Sequence, residues 1–536
     1  MTSTKATSFQ EYQAQREAFI KDDRSLRREF LPANLNLRTS KEAEADRIVR
    51  EIRALEEKTI WREDYTDIPH PFPGMEFLTG KRIIEKTRLF KILSKMPKGG
   101  LLHAHLDATV DTEYLYRLAF KYPIMHIRVI APLSASTLVT NPPEFRALPK
   151  AERTNGTSLA HAAYEAGSWV PLTNARESFP KEMGGPEGFD KWVIGSLTIN
   201  PSEAYGTHNT VEKIWQKFRS TFFTATGLIR FTPIFAEYIK EFLRSSIADG
   251  ILYVEPRVNF WYKNLYGENG EENVQHRDLL QIFDRIVKEV KEEMAQAGRA
   301  GEFIGAKIIY STVRLITPEE LEWYFADCIT LKKEFPHLIA GFDLVGPEND
   351  LKPLIYYAKE LLAFQERVKA EGLDIPFIFH AGETFGDGTE ADTNLYDAIL
   401  LGTKRIGHGF SLFKHPKLMK ICREKGILLE VCPISNEVLR LTSSMPMHPL
   451  PALINNGVPV ALCSDDPSVF GSMGLTYDYF QVLAASEVTG LSTLGALARD
   501  SIEFSSLERE EKARALEVFE KKWDEFVNYV VEYENQ

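Results

Sequence analysis

The chain has 536 residues and a formal net charge of −12, and 44% of its residues are hydrophobic. This composition is typical of a globular protein and excludes general disorder. The acidic balance argues against a nucleic-acid-binding surface and against a polybasic membrane patch. No run of about 18 apolar residues occurs, so the sequence predicts no transmembrane helix.

The amino-terminal residues 1–85 are predicted to form a helical extension. Apolar residues recur at helical spacing among charged ones, at Ile48, Val49, Ile52 and Leu55. The segment IPHPFPG (68–74) then breaks the pattern and has the composition of a linker. The extension either packs on the main domain or acts as a dimerisation arm, and the second reading predicts a homodimer.

From about residue 98 onward, short apolar segments rich in Val, Ile and Leu alternate with helical stretches. This alternation is typical of a parallel sheet covered by helices on both faces. The eight predicted strands lie in 99–107, 250–257, 303–311, 338–346, 376–383, 404–410, 426–435 and 458–466. Eight such units predict an α/β fold of the TIM (β/α)8 barrel type, which would occupy residues 86–536.

The first and second predicted strands are separated by more chain than a crossover needs. A β/α crossover requires about a dozen residues or somewhat more, and the segment between these two strands contains roughly 100 residues beyond that. Residues 121–200 are rich in Pro, Ser, Thr and Gly and are predicted to be irregular, whereas 211–249 return to helical spacing. The sequence therefore predicts a large insertion, about 121–210, after the first strand.

Four cysteines are present, at Cys328, Cys422, Cys432 and Cys463. They are too few for a disulfide framework and contain no Cys-x-x-Cys pair, which argues against a thiolate zinc site and against dithiol redox chemistry. The polar amino terminus has no apolar signal sequence. These features predict a cytoplasmic protein, with a removed or unconventional secretion signal as the alternative.

Polar residues follow four of the predicted strands at their carboxyl ends. The first strand ends in His103, His105 and Asp107, which alternate and therefore share one face. The fifth ends in HAGE (380–383), the sixth in GHG (407–409) and the eighth in SDDP (464–467). Because barrel active sites are built from strand ends at this face, we expect these side chains to converge.

Four histidines and four acidic groups are costly to bury together without a metal ion or other partners. Each of these strand-end motifs alone is weak evidence for a metal site. The prediction of a metal site rests on their occurrence together at four strand ends. Imidazoles with one carboxylate favour zinc, and other first-row metals remain compatible. A metal there would lower the pKa of a water toward about 7, which leaves His408 and Glu383 for proton transfer.

At these positions the sequence resembles the adenosine deaminase family, and within it the adenosine-deaminase-related growth factors. The resemblance spans nearly the whole chain. It is carried by KMPKGGLLHAHLD (95–107), LVGPE (344–348), HAGE (380–383), IGHG (406–409) and SDDP (464–467). It implies a metal-dependent deaminase barrel with one Zn²⁺ per chain.

The resemblance implies a role for each matching residue. The zinc ligands would be His103, His105, His380 and Asp465. Glu383 resembles the acid that protonates purine ring nitrogen 1, and His408 resembles the residue that orients and helps to deprotonate the attacking water, with Asp465 accepting a hydrogen bond from that water. The substrate contacts would be Asp466 at ring nitrogen 7, the Gly346 N–H at ring nitrogen 3, Asp107 on the ribose side and Trp215 in a lid over the sugar.

The implied function is zinc-dependent hydrolytic deamination of adenosine to inosine and ammonia, with 2′-deoxyadenosine as a further substrate. The main alternative has the same chemistry and acts on AMP or other 5′-phosphorylated adenosines. A non-purine amidohydrolase leaves Asp466 without a task, and a non-catalytic growth-factor-like protein does not need Glu383 and His408. Residues 1–327 contain no cysteine, so the disulfide of the secreted relatives is absent.

Overall fold

The structure, a computed structural model, describes residues 8–25 and 40–533. It is an α/β protein in which short strands alternate with helices. None of the helices in these two ranges is long and apolar enough to cross a membrane. The α-helices are Phe9–Ser25, Ser40–Lys58, Phe77–Ile84, Arg88–Leu93, Thr112–Ala119, Leu172–Glu177, Gly185–Leu197, Val211–Ile229, Thr232–Ala248, His276–Gln296, Pro318–Glu334, Ala358–Ala370, Glu390–Leu400, Pro416–Lys425, Pro433–Val438, Leu450–Asn455, Pro467–Phe470, Thr476–Ala484, Leu491–Glu503 and Arg509–Tyr533.

Each of the eight predicted strand segments contains a strand, and the second and third are each interrupted once. In chain order they are Gly99–Leu101, Ile251–Val254 with Arg257–Asn259, Gly305–Ala306 with Ile308–Val313, Ile339–Val345, Ile378–Ala381, Arg405–His408, Leu428–Val431 and Val460–Leu462. We refer to them below as the first to the eighth strand. They are almost entirely buried, as expected for a parallel sheet covered on both faces.

Parallel pairing joins these strands in chain order. Ladders connect the first three strands, the third with the fourth, and the fifth through to the eighth. Single parallel bridges connect Phe342 to Phe377, between the fourth and fifth strands, and Ala104 to Asp465, between the first and the eighth. Because parallel strands end at one edge of a sheet, the residues that follow them are brought together there.

The helices form where the sequence supplies caps and one apolar face. His276–Gln296 begins at a capping box made by Gln275 and Asp278 and buries one apolar face. Pro318–Glu334 begins at a second capping box, with Thr317 as its N-cap residue. These amphipathic helices pack their buried faces into the same core as the strands.

The described part of the amino-terminal extension contains two long helices, while residues 1–7 and 26–39 of the predicted 1–85 segment lie outside the described residues. Ser40–Lys58 packs against Arg509–Tyr533, and the Trp523 indole N–H donates to Glu42 at 2.7 Å. Ile48, Val49 and Ile52 are buried as predicted. Leu55 is 54% exposed, so the apolar face is one residue shorter than its spacing predicts.

The segment between the first two strands is more regular than its composition predicts. Met125–Arg128 pairs antiparallel with Glu144–Ala147 and Val170–Pro171, and helices follow from Leu172 onward. The prediction of an irregular stretch over 121–200 therefore holds for 129–143 and 148–169, which contain no helix or strand, and is wrong for the remaining elements. Strands of two to four residues are too short to show a clear alternation among the surrounding Pro, Ser and Gly. A further hairpin joins Asn264–Tyr266 to Glu272–Gln275.

Glu437 connects three distant parts of the chain. Its carboxyl group accepts hydrogen bonds from the Phe77 backbone N–H at 2.9 Å and from the Tyr205 hydroxyl at 3.0 Å. Burial raises the pKa of Glu437 to about 8. The group is therefore largely protonated at neutral pH, in contrast to an exposed glutamate.

Candidate active site

The polar residues at the strand ends converge in one cluster. The ring centroid of His103 lies 5.6 Å from that of His105, 4.6 Å from that of His380 and 4.7 Å from that of His408. Asp465 Oδ1 lies 3.2 Å from His103 Nε2 and 3.4 Å from His105 Nε2. The structure thus brings together all four predicted metal ligands and His408.

The backbone aims these side chains at one point. The His105 N–H donates to the Asp465 carbonyl at 3.0 Å, and the Asp465 N–H donates to the His103 carbonyl at 3.2 Å. His408 and Asp465 both have positive φ, 61° and 59°, a strained conformation that clusters at functional sites. A Cβ atom at Gly407 would lie 2.8 Å from His103 Cε1, so this position requires glycine.

The donor set fits a metal ion. His103 Nδ1 lies 2.9 Å from Glu430 Oε2, and His380 Nδ1 lies 2.7 Å from Asp343 Oδ2. Each ring gives its Nδ1–H to a carboxylate, which leaves Nε2 bare, as in histidines that bind metals. His103 Nε2 and Asp465 Oδ1 have no hydrogen-bond partner despite their burial. Two buried acceptor atoms 3.2 Å apart repel one another, and a cation bound by both relieves the repulsion.

Two ligand sets are compatible with the distances. His103, His380, His408 and Asp465 lie close enough to share one ion, and so do His105, Asp465 and Asp466. Asp465 belongs to both groups. The distances alone therefore do not separate His105 from His408 as a metal ligand.

Buried arginines and carboxylates form a charge network that contacts the histidine cluster. The sequence analysis did not predict this network. Arg257 donates from Nε to Asp343 and from Nη2 to Glu430, both at 2.8 Å. Arg405 donates to Glu430 and to Glu255, both at 2.6 Å. The available signal was a charged residue inside an apolar run, as in ILYVEPR, LIAGFDLVG and GILLEVCPIS.

Glu383 and Asp465 have opposite pKa shifts. Burial, with Asp465 and Glu348 nearby, raises the pKa of Glu383 well above its ordinary value. Burial alone would also raise the pKa of Asp465, but the positive charge of a neighbouring histidine, when His408, His103 or His105 is protonated, holds that pKa well below its ordinary value. The opposite shifts favour a protonated Glu383 and an ionised Asp465, the arrangement needed for proton transfer in both directions.

A cavity of about 270 Å³ opens onto the cluster. All predicted site residues line it except His103, which lies fully buried behind it. Its wall on the side of Val211–Ile229 is aromatic and includes Trp215, which packs against Phe218 at 5.1 Å between ring centroids. Besides histidines, the only basic side chain among the described lining residues is Arg219, 48% exposed and 3.6 Å from Asp350.

Two further acidic groups in this cavity have raised pKa values. Burial raises the pKa of Asp107 to about 6. Burial, followed by Asp465 and Asp107, raises the pKa of Asp466 well above its ordinary value. Asp466 Oδ1 has no hydrogen-bond partner although it is buried. A protonated Asp466 can donate a hydrogen bond to a ligand acceptor.

The chain is similar to known deaminases. Residues 198–522 match the family model described as adenosine deaminase. Adenosine deaminase 2 of Sus scrofa is 35% identical over 460 residues, which cover 85% of this chain and 84% of that protein. The structure of Arabidopsis ADAL complexed with IMP aligns with a TM-score of 0.53 at 17% identity, covering 81% of this chain and 98% of that one. An amidohydrolase from Burkhoderia ambifaria with bound Zn aligns with a TM-score of 0.53 at 16% identity, covering 86% and 98%.

Proposed function

The chain belongs to the adenosine deaminase family, and from this premise we propose that it catalyses the zinc-dependent hydrolytic deamination of adenosine to inosine and ammonia. The protein is an enzyme that deaminates a purine. The proposal adds the metal, the substrate and the residues that act on it. One observation carries it: Glu383, whose pKa is raised, and Asp465 line the same cavity, and the unpartnered Asp465 Oδ1 lies 3.2 Å from the unpartnered Nε2 of His103, buried behind that cavity.

The proposed zinc ligands are His103, His105, His380 and Asp465. Zinc supplies a Lewis acid that makes water nucleophilic near neutral pH. The chain's own contribution begins with the tautomers of His103 and His380, because Glu430 and Asp343 each hold an Nδ1–H and leave Nε2 available. In this proposal the ionised Asp465 would accept a hydrogen bond from the attacking water and take up its proton.

The substrate contacts follow from hydrogen-bond polarity. Purine ring nitrogens 1, 3 and 7 are acceptors, so a recognising site must present donors. The raised pKa values of Glu383 and Asp466 favour protonated side chains, which would donate to nitrogens 1 and 7, and the Gly346 backbone N–H would donate to nitrogen 3. Protonation of nitrogen 1 by Glu383 neutralises the charge that develops on the ring as water adds at carbon 6. We propose Asp107 and Trp215 as contacts on the sugar side.

The alternative substrate is AMP or another 5′-phosphorylated adenosine. A phosphate requires cationic or N–H donors, and among the described residues that line the cavity Arg219 is the arginine or lysine that could supply them. Asp350 lies 3.6 Å from Arg219 and lowers its availability to a phosphate, which favours the uncharged nucleoside. Initial rates with adenosine and AMP, followed by loss of adenine absorbance, decide between them. If AMP is the substrate, Arg219→Gln lowers turnover of AMP more than turnover of adenosine.

We also propose how the chain is organised. The pairing of the first strand with the eighth through Ala104 and Asp465 supports a closed (β/α)8 barrel over residues 86–536, with the insertion at about 121–210. The 1–85 extension would act as a dimerisation arm. Helix Phe9–Ser25 supports this because none of its residues is buried, with Phe9 72% and Phe19 75% exposed. Light scattering of the wild type and Phe19→Ser tests it, since a monomeric wild type contradicts a dimer.

A further inference from the structure

A chain of buried hydrogen bonds leads from a backbone amide to His408. The Leu450 N–H lies 3.0 Å from His448 Nδ1. His448 Nε2 lies 3.1 Å from Asn436 Oδ1. Asn436 Nδ2 lies 3.2 Å from His408 Nδ1. All four residues are at most 4% exposed, so water does not compete for these contacts.

The Leu450 backbone N–H fixes the donor and the acceptor of every hydrogen bond in this series. A backbone N–H can only donate, so His448 Nδ1 must accept and carries no proton. A neutral imidazole then carries its proton on Nε2, which donates to the Asn436 oxygen. The amide NH₂ group of Asn436 therefore faces His408 Nδ1 and donates to it. Turning the amide over would leave His448 without a proton on either nitrogen.

We propose that Asn436 and His448 are positioning residues that hold His408 in the tautomer with its proton on Nε2, so that His408 donates a hydrogen bond into the cavity and does not bind the metal. This inference rests on the proposed function for its kinetic consequence, although the tautomer follows from the hydrogen bonds alone. His408 Nε2 lies 3.5 Å from Glu383 Oε1 and 3.7 Å from Asp465 Oδ2, so its N–H faces carboxyl oxygens of the cavity without forming a hydrogen bond to them.

The proposal separates the two ligand sets that the distances allow. A metal-binding imidazole needs a bare nitrogen, and His103 and His380 obtain one because carboxylates hold their Nδ1–H. His408 has an amide donor in the corresponding place, so its Nε2 is protonated and unavailable. His105 is then the fourth protein ligand. His408 then keeps the orienting part of the role that the resemblance implies, by donating to the water, and takes no part in deprotonating it.

The direct test reverses the hydrogen bond between Asn436 and His408. Asn436→Asp has nearly the same shape, but its carboxylate accepts from both neighbours, so His408 must place its proton on Nδ1. ¹⁵N NMR of histidine-labelled, zinc-loaded protein distinguishes protonated from bare ring nitrogens, and His408→Gln assigns the signals. We expect a protonated Nε2 for His408 in the wild type and a protonated Nδ1 in Asn436→Asp. A bare Nε2 in the wild type overturns the proposal.

Steady-state kinetics test whether the tautomer of His408 matters for catalysis. For adenosine we expect Asn436→Asp to lower kcat about 100-fold, with KM changed by less than about threefold, because orientation of the nucleophile is lost. Thermal unfolding is measured alongside, because a general loss of structure would lower the melting temperature instead. An unchanged kcat in a variant whose tautomer is reversed contradicts the positioning role.

His448 supplies a matched pair that introduces no charge. His448→Phe keeps an aromatic ring against Phe410, whose centroid lies 5.4 Å away, but removes the donor to Asn436. His448→Gln restores an N–H near the former Nε2. We expect His448→Phe to lower kcat about tenfold, and His448→Gln to recover most of that loss. Equal losses in both variants would indicate a packing role and refute the proposal. A wild type without deaminase activity would instead refute the proposed function, and the NMR result would still stand.

Discussion

Asp343→Asn perturbs the hydrogen bonds that hold His380. The Asp343 carboxylate accepts from the His380 backbone N–H at 3.0 Å, from His380 Nδ1–H at 2.7 Å and from Arg257 Nε–H at 2.8 Å. An asparagine of the same shape has one acceptor oxygen instead of two. Whichever way the amide turns, its NH₂ group faces a donor, so at least one buried N–H loses its acceptor.

The expected losses in stability and in zinc affinity follow from two separate physical arguments. An unsatisfied buried donor costs about 1–3 kcal/mol. Loss of the carboxylate partner of a metal-binding histidine weakens metal affinity by about 10–100-fold, which corresponds to about 1.4–2.8 kcal/mol. Arg257 keeps its contact with Glu430 at 2.8 Å, so the variant is expected to fold with reduced stability.

Zinc affinity is measured by competition with a chelator of known affinity, and folding is followed by thermal unfolding of the metal-free protein. Asp392→Asn is the matched control. Asp392 is also buried, and its Oδ1 lies 2.9 Å from His415 Nε2, but it does not line the cavity. We expect lower stability in both variants and weaker zinc binding only in Asp343→Asn. Zinc affinities within twofold of the wild type in both would refute the assigned support of His380.

Three further predictions follow from the site and its surroundings. Glu383→Gln should lower kcat by about 10²–10⁴-fold because the acid is lost, and stoichiometric zinc by elemental analysis should be unchanged; full activity would contradict the proton-transfer role. His103→Ala should lose stoichiometric zinc, and a zinc content equal to that of the wild type would contradict the ligand assignment. Glu437→Gln should remove a pH dependence of stability. The raised pKa of Glu437 makes the folded state hold a proton more tightly than the unfolded chain, so the contribution of this group to stability falls as pH rises from 4.5 to about 8. Between pH 5 and pH 8 we expect the variant to gain about 3 kcal/mol relative to the wild type in urea unfolding; parallel profiles would contradict the shift.

The strand-end residues could be predicted from the sequence because their convergence depends on simple periodicities. Alternation in the first strand places His103 and His105 on one face, and parallel strands end at one edge of the sheet. The supporting charges could not be predicted in the same way. Asp343 and Glu430 were visible as acids within apolar runs, but their partners lie on strands far away in sequence.

The link from Leu450 to His408 was harder still to predict. It uses a backbone N–H, whose availability depends on where helix Leu450–Asn455 begins. His448 stands in a loop-like segment with no periodicity, so nothing local marks it as different from a surface histidine. The short strands around residues 125–171 were missed for a related reason, because two to four residues give no measurable alternation.

Titration of metal-free protein with zinc, with adenosine deamination as the readout, tests the central claim most directly. Activity should rise linearly with added zinc and stop rising at one zinc per chain, with inosine and ammonia released in equal amounts. Activity that does not depend on zinc, or zinc-saturated protein that leaves adenosine unchanged, would contradict a zinc-dependent adenosine deaminase built on His103, His105, His380 and Asp465.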